Sequence, residues 1–220
     1  MERNGRVRYI VPRPPEDGGA MDRNDEKKKG SNEMNAALLL IDIQNDYFPG
    51  GKMELEGSAE ASLRAKEILS FFRKQGMPLV HVRHIAGRPG STFFLSGTQG
   101  SEIHPNVAPL PGETVVQKHY PNSFRETSLL EHLRGKEVSR LVIVGMMTHM
   151  CVDATIRAAF DHFFDCTVVH DACATRDLAF QDKIVPAGQV HAAFLSALGA
   201  VYAKVVGAND FLANFPSVCH

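Results

Sequence analysis

Short apolar runs alternate with amphipathic stretches along the chain from Ala36 onward. The first run, residues 36–43, is almost continuously apolar, which is typical of a strand that is buried on both faces. Residues 58–75 have apolar positions at helical spacing, and the Gly76-Met77-Pro78 that follows marks a helix end. The predicted strands are residues 36–43, 79–82, 114–116, 141–144, 166–169 and 201–206, and the predicted helices are residues 58–75, 128–134, 151–163 and 185–198.

This alternation predicts an α/β fold: a three-layer, doubly wound, mostly parallel six-stranded sheet with helices on both faces, for which we expect the strand order 3-2-1-4-5-6. The long segment at residues 85–112 interrupts the pattern, and loops of this length are usually functional. Residues 1–35 carry turn formers and a mixed charge run without apolar periodicity, which predicts a disordered N-terminal tail before a domain at residues 36–220. A targeting or docking segment is the alternative for this tail.

Composition and charge narrow the classes of function. The 220 residues are 44% hydrophobic and 22% charged, as in soluble globular domains. A formal net charge of −1 gives no electrostatic case for binding nucleic acid or an anionic membrane surface. The sequence has no signal-peptide pattern, and its four cysteines form neither a CxxC pair nor a disulfide framework. We therefore expect a cytoplasmic protein that acts on a small molecule without a cofactor.

Three polar side chains stand where predicted strands end, and ligands of open parallel sheets bind beyond the carboxyl ends of the strands. Asp42 ends the first strand, Lys118 closes the third, and Cys151 follows the fourth where a helix is predicted. Because a helix N-terminus favours an anion, we expect a lowered pKa for the Cys151 thiol. A thiolate nucleophile also needs a proton acceptor and a positive charge, which Asp42 and Lys118 offer. The structural alternatives are a capping carboxylate, a solvated lysine and an inert buried cysteine.

Three sequence segments around these residues carry a family resemblance. They are LLIDIQNDYF, which contains Asp42, KHYPNSF, which begins at Lys118, and VGMMTHMCV, which contains Cys151. In this order they resemble the isochorismatase-like cysteine hydrolase superfamily, which includes nicotinamidases and N-carbamoylsarcosine amidases. The resemblance covers residues 36–211 and implies that Asp42 is the general base and acid, Lys118 its charged partner and Cys151 the nucleophile.

The same resemblance implies a particular backbone geometry beside the nucleophile. It places a cis peptide bond between Met146 and Met147, which would direct the backbone N–H groups of Met147 and Cys151 at a developing oxyanion. Such donors typically contribute on the order of 3 kcal/mol to a transition state. The resemblance also implies a homodimer or homotetramer.

The segment after the predicted second strand departs from the nicotinamidase pattern. Nicotinamidases hold a metal through an Asp-x-His pattern and a further His, whereas this chain has His81-Val82-Arg83-His84 without the acid. Because His81 and His84 would also point to opposite faces of a strand, the sequence predicts no catalytic metal and no nicotinamide substrate. The candidate substrate-binding residues are Gln44, Phe48, His84, Phe93, Phe94, Tyr120, Phe124 and Thr148.

These observations leave three hypotheses for function. The first is a cysteine-dependent hydrolase that cleaves a carbon–nitrogen bond in a small amide, imide or ureido compound through a thioester-type intermediate on Cys151. The second is hydrolysis of a vinyl ether through Asp42, with Cys151 as a bystander. The third is a protein of this fold without catalysis, which senses redox state or serves as a scaffold through Cys151.

Overall fold

The computed structural model describes residues 35–215, and a six-stranded sheet in the order β3-β2-β1-β4-β5-β8 forms its centre. The strands are β1 (Ala36–Ile41), β2 (Leu79–His84), β3 (Thr114–Lys118), β4 (Arg140–Met146), β5 (Asp165–Ala174), β6 (Leu178–Phe180), β7 (Lys183–Val185) and β8 (Lys204–Val206). The helices are α1 (Ser58–Gln75), α2 (Leu129–Gly135), α3 (Asp153–Asp161), α4 (Ala187–Val201) and α5 (Ala208–Asn214). The predicted N-terminal tail lies outside the described residues, apart from Asn35, as does Cys219.

Neighbouring strands of the large sheet all pair in parallel. Strand β1 lies between β2 and β4, so the order of strands reverses beside it. The predicted fold class and strand order are confirmed, with β8 in the place of the predicted sixth strand. This reversal is where an open parallel sheet forms a crevice at the carboxyl ends of its strands.

The two faces of the sheet are covered by different helices, because successive strand residues point to opposite sides. Leu38 and Leu40 belong to one buried cluster, which includes apolar residues of α1 and α5. Leu39 and Ile41 belong to the other, which includes residues of α2, α3 and α4. The uninterrupted apolar run of β1 is therefore explained by burial on both faces.

Several boundaries differ from the predicted ones. Helix α4 continues to Val201, so the last sheet strand begins at Lys204 instead of Val201. An apolar run at this point fits the end of a buried helix as well as a strand, and its periodicity does not distinguish the two. The β6–β7 hairpin and helix α5 were not predicted. None of the helices within residues 35–215 is long and apolar enough to cross a membrane.

The carboxyl end of β4 is shaped by Gly145, which has a φ of 133°. A Cβ atom at this position would lie 2.1 Å from the carbonyl oxygen of Ile41 in the neighbouring strand. The pairing of β4 with β5 shifts register between Ile143 and Gly145. Only glycine fits this conformation and this close approach. The sheet edge beside the predicted nucleophile therefore depends on one residue without a side chain.

Candidate active site

Asp42, Lys118 and Cys151 meet at the carboxyl edge of the sheet. Asp42 directly follows β1 and has a φ of 51°, in a left-handed region that Asp adopts more readily than most residues. Lys118 is the last residue of β3, and Cys151 lies in a π-helical turn, Thr148–Val152, between β4 and α3. The exposed fractions are 0% for Asp42, 0% for Lys118 and 5% for Cys151. Three polar groups, of which the expected strand order had brought together only Asp42 and Cys151, are thus buried side by side.

The ammonium group of Lys118 is the centre of this arrangement. Its Nζ lies 2.6 Å from Oδ2 of Asp42 and 3.2 Å from the carbonyl oxygens of both Tyr120 and Pro121. Burial lowers the pKa of Lys118, but the interactions with the Asp42 carboxylate and with Cys151 outweigh that effect and leave the pKa raised. The side chain reaches Asp42 across β2, which lies between β3 and β1. A buried charge pair of this kind is stable only when both members are present.

The Cys151 thiol has a raised pKa in this environment, and the expected lowering was wrong. Burial raises its pKa most, the Asp42 carboxylate adds to this, and the Lys118 ammonium opposes it. The reason for the error is local structure, because Cys151 lies within a π turn and its surroundings exclude water. The thiol therefore keeps its proton at neutral pH until a base removes it.

His84 is the fourth polar residue at this point of the sheet. It pairs in register with Lys118, and its Nδ1 lies 3.4 Å from Lys118 Nζ and 4.0 Å from Asp42 Oδ2. His81 points elsewhere, as its position on β2 predicted, and its Nε2 lies 3.0 Å from Glu113. Burial lowers the pKa of His84 most, and Lys118 adds to this effect while Asp42 opposes it. His84 is therefore neutral at pH 7.

Donor atoms of Asp42, His84 and Cys151 all lie within 4.8 Å of one another, a spacing that could suit a metal ion. The Lys118 ammonium lies against the Asp42 carboxylate and repels a cation there. The absence of a catalytic metal remains a prediction.

Four of the predicted substrate-binding side chains have other partners in the structure. Gln44 is fully buried, and its amide bonds the backbone N–H and carbonyl of His84 and the carbonyl of Ser101. The other three are also buried: Phe48 stacks on His104, Phe124 packs against His162 and Phe164, and Thr148 bonds Ala174 and His191. These four residues lie in the three motif segments, and we therefore expected them to line a pocket. In the structure their side chains instead point into the protein interior.

Of the remaining predicted side chains, His84 lies beside Lys118 and Asp42. The buried ring of Phe94 lies 5.9 Å from the ring of His84, and the half-buried Phe93 packs against Phe94. Tyr120 is half-buried, and the Arg125 guanidinium lies over its ring. A cavity of about 320 Å³ is lined by Gly87, Arg88, His119, Tyr120 and Glu126. His84, Phe93 and Tyr120 therefore keep partial exposure beside the site.

Tyr47 is a residue of the site that the sequence reasoning did not single out. It lies in a 3-10 helix, Asn45–Tyr47, directly after Asp42, and its exposed fraction is 1%. Burial raises the pKa of Tyr47 well above its usual range, and interactions with Cys151 and Asp42 raise it further. The Tyr47 ring packs 4.6 Å from the ring of Phe94, which in turn lies beside His84. The sequence shows a tyrosine five residues after Asp42, but it does not show that a 3-10 turn would place the ring of this tyrosine near the site.

The backbone beside Cys151 has one unusual bond: the peptide between Met146 and Met147 is cis. The carbonyl oxygen of Met147 accepts hydrogen bonds from the backbone N–H groups of Met150 and Val152. These bonds close the π turn that carries the thiol. The assignment of the Met147 and Cys151 N–H groups to an oxyanion hole remains a prediction.

A parallel α/β sheet with a carboxylate, an ammonium and a thiol at its switch point is an arrangement suited to hydrolysis. Residues 36–198 match the family model described as the isochorismatase domain. The chain therefore belongs to the isochorismatase family of hydrolases, and the predicted family is confirmed.

Comparison with individual proteins gives the same assignment. The chain is 52% identical over 179 residues to the uncharacterized isochorismatase family protein YddQ of Bacillus subtilis strain 168, covering 81% of this chain and 99% of YddQ. It is 35% identical over 167 residues to a streptothricin hydrolase of Streptomyces noursei, covering 74% of this chain and 65% of that protein. The crystal structure described as an isochorismatase hydrolase from Oleispira antarctica shares 51% sequence identity with this chain and superimposes with a TM-score of 0.80. The match covers 83% of this chain and 98% of that one.

Proposed function

We propose that this protein hydrolyses a carbon–nitrogen bond in a small amide, imide or ureido compound, with Cys151 as nucleophile and Asp42 as general base and acid. The single observation that carries the proposal is the burial of the Asp42–Lys118 ion pair against the Cys151 thiol. A buried charge pair is expensive to maintain beside a cysteine that serves packing alone. Perturbed titratable groups of this kind cluster at functional sites.

The first half of the reaction forms a thioester. Asp42 accepts the thiol proton while Sγ bonds to the carbonyl carbon, and the carbonyl electron pair moves onto oxygen. As that pair returns, the carbon–nitrogen bond breaks and the protonated Asp42 gives its proton to the leaving nitrogen. This order agrees with the raised pKa of Cys151, because the proton is transferred during attack and no free thiolate is stored beforehand.

The second half of the reaction regenerates the thiol. Asp42 removes a proton from water as the water oxygen attacks the thioester carbon, and the carbon–sulfur bond then breaks. The sulfur recovers its proton from Asp42, and the products are a carboxylic acid and the amine or ammonia. Throughout, the Lys118 ammonium offsets the charge of Asp42 and holds the carboxylate in position at 2.6 Å. We assign the Met147 and Cys151 N–H groups to the oxyanion in both halves.

A cysteine with a buried acid suits carbon–nitrogen bonds because nitrogen is a poor leaving group unless it is protonated. Asp42 can supply that proton because it has just accepted one from the Cys151 thiol. Hydrolysis of a vinyl ether by Asp42 alone gives Cys151 no role. The relative from Streptomyces noursei is named for hydrolysis of streptothricin, which agrees with a small-molecule substrate.

The proposal is tested by ammonia release from a panel of primary amides and ureas, and by ring opening of cyclic imides, whose leaving nitrogen stays in the product as an amide. We expect turnover that Cys151→Ala abolishes and that Asp42→Asn lowers by about 10²–10⁴-fold. Cys166→Ala is the matched control, because Cys166 is also buried but lies at the amino-terminal end of β5. Turnover that survives in Cys151→Ala would instead support acid catalysis by Asp42. A folded protein that hydrolyses none of the panel, nor a vinyl ether, would support the non-catalytic alternative.

A further inference from the structure

His84, the last residue of β2, is held in place through both its backbone and its ring. The Gln44 side chain accepts a hydrogen bond from the His84 N–H at 2.7 Å and donates one to its carbonyl at 2.8 Å. The Phe94 ring packs beside the imidazole, and the Phe94 N–H donates to Asp46 at 2.6 Å. This support fixes the ring next to the ammonium of Lys118.

The contact with Lys118 decides which nitrogen of His84 carries its proton. An ammonium group can only donate hydrogen bonds, and the raised pKa of Lys118 keeps it charged. His84 Nδ1 faces Lys118 Nζ at 3.4 Å, and a hydrogen on Nδ1 would point at this positive charge, so Nδ1 presents its lone pair and carries no proton. The charges around the ring are those of Asp42, Lys118, His119 and Arg88, and three of these four disfavour a second proton. The ring is consequently neutral, with its proton on Nε2.

The Nε2–H group is left as a donor that faces away from Lys118. Within residues 35–215, no side chain or carbonyl accepts a hydrogen bond from it, and the His84 side chain is 18% exposed. A neutral donor held rigidly at the rim of a buried nucleophile suits recognition of an acceptor atom. One nitrogen of the same ring lies within 4.8 Å of donor atoms of Asp42 and Cys151, so an acceptor that bonds this ring also lies close to the reacting carbon.

We infer that His84 is a substrate-binding residue whose Nε2–H group donates to a second carbonyl or carboxylate oxygen beside the scissile amide. The substrate class is thereby narrowed to amides that carry such an acceptor one or two bonds from the reacting carbonyl. Simple alkyl amides lack it. This inference rests on the proposed function for the identity of the scissile bond, but the state and role of the histidine can be measured separately.

Nitrogen-15 NMR of the full chain at pH 7 tests the tautomer directly. We expect one histidine with protonated Nε2 and unprotonated Nδ1 that disappears from the spectrum of His84→Asn. A His84 resonance with the proton on Nδ1, or with both nitrogens protonated, would overturn the inference. This measurement needs no turnover, so its failure is distinct from failure of the proposed function.

Titration of the full-length Cys151→Ala variant with two probes tests the binding role without consuming them. Malonamide carries a second carbonyl oxygen near the first, whereas butyramide has a hydrocarbon chain there. We expect malonamide to shift the His84 Nε2 resonance and to bind about tenfold more tightly than butyramide, as one additional hydrogen bond allows. Equal affinities with equal shifts, or no shift with either probe, would contradict the inference.

Two substitutions distinguish a His84 that binds substrate from a His84 that only positions Lys118. His84→Gln retains a donor near the position of Nε2, whereas His84→Asn retains an acceptor near Nδ1. If His84 binds substrate, His84→Gln keeps malonamide affinity in the Cys151→Ala background and His84→Asn loses about tenfold, while both bind butyramide equally. If His84 only positions Lys118, His84→Asn would behave as the unsubstituted residue with both probes, and the inference would be wrong.

Discussion

The buried ion pair makes a specific prediction for Lys118→Met, which keeps the length of the side chain but removes its charge. Asp42 would then be a carboxylate at 0% exposure without its ammonium partner. At their separation of 2.6 Å the two charges attract by about 6 kcal/mol for an effective dielectric constant of about 20. Water entry or protonation of the carboxylate would recover part of this loss in the variant. We therefore expect a decrease of about 3–5 kcal/mol in the free energy of unfolding, the range found when one partner of a buried pair is removed.

Urea denaturation at pH 7 measures this free energy, and thermal unfolding gives an independent check. For a chain of 220 residues, the decrease corresponds to a melting temperature lower by about 6–20 °C. Asp42→Asn combined with Lys118→Met removes both charges and is the matched control. The double variant should be more stable than Lys118→Met alone, because no unpaired charge remains buried. A Lys118→Met variant within 1 kcal/mol of the wild type by this assay, or a double variant that recovers nothing, would refute the reasoning.

Three further predictions concern thiol reactivity, acid stability and the sheet edge. Because the Asp42 carboxylate helps to raise the pKa of Cys151, Asp42→Asn should speed alkylation of that thiol by iodoacetamide at pH 8 while it lowers turnover, as measured by peptide mass spectrometry. The Arg73 guanidinium is the main cause that lowers the pKa of Glu113 to about 2, so this carboxylate stabilises the fold above pH 4.5 and the stabilisation is lost as the pH falls towards 2. The urea midpoint of Glu113→Gln should accordingly depend less on pH in that window than the wild-type midpoint, and equal slopes would contradict this. Gly145→Ala places a methyl group against the neighbouring backbone, so its melting temperature should fall while an exposed change such as Gly188→Ala has little effect.

The sequence was sufficient for the sheet and for the pairing of two catalytic groups. Alternating apolar runs predict the parallel sheet, and the expected strand order, which the structure confirms, places Asp42 and Cys151 at the ends of neighbouring strands. The position of Lys118 could not be derived in the same way, because its side chain crosses β2 to reach Asp42. Such a path depends on side-chain direction and packing, which strand order alone does not determine.

Other parts of the site depended on burial, which the sequence does not reveal. A position at a helix start suggested an acidic thiol, yet the exclusion of water around Cys151 reverses the direction of the pKa shift. Gln44 and Thr148 lie in motif segments and resembled pocket residues, but their polar atoms bond protein groups. Tyr47 was overlooked because its buried ring packs against Phe94 like an ordinary core residue, and the 3-10 turn that brings it beside this ring is not evident from the sequence.

The central claim is that Cys151 forms a covalent bond to substrate, and acid-quenched mass spectrometry tests it most directly. The protein is mixed with an amide from the panel that it hydrolyses, stopped within the first turnovers, and digested for peptide mapping. We predict an acyl group on the peptide that contains Cys151, absent from Cys151→Ala and retained in Cys166→Ala. Steady turnover in Cys151→Ala, with no acyl group on any peptide of the wild-type protein, would contradict the account.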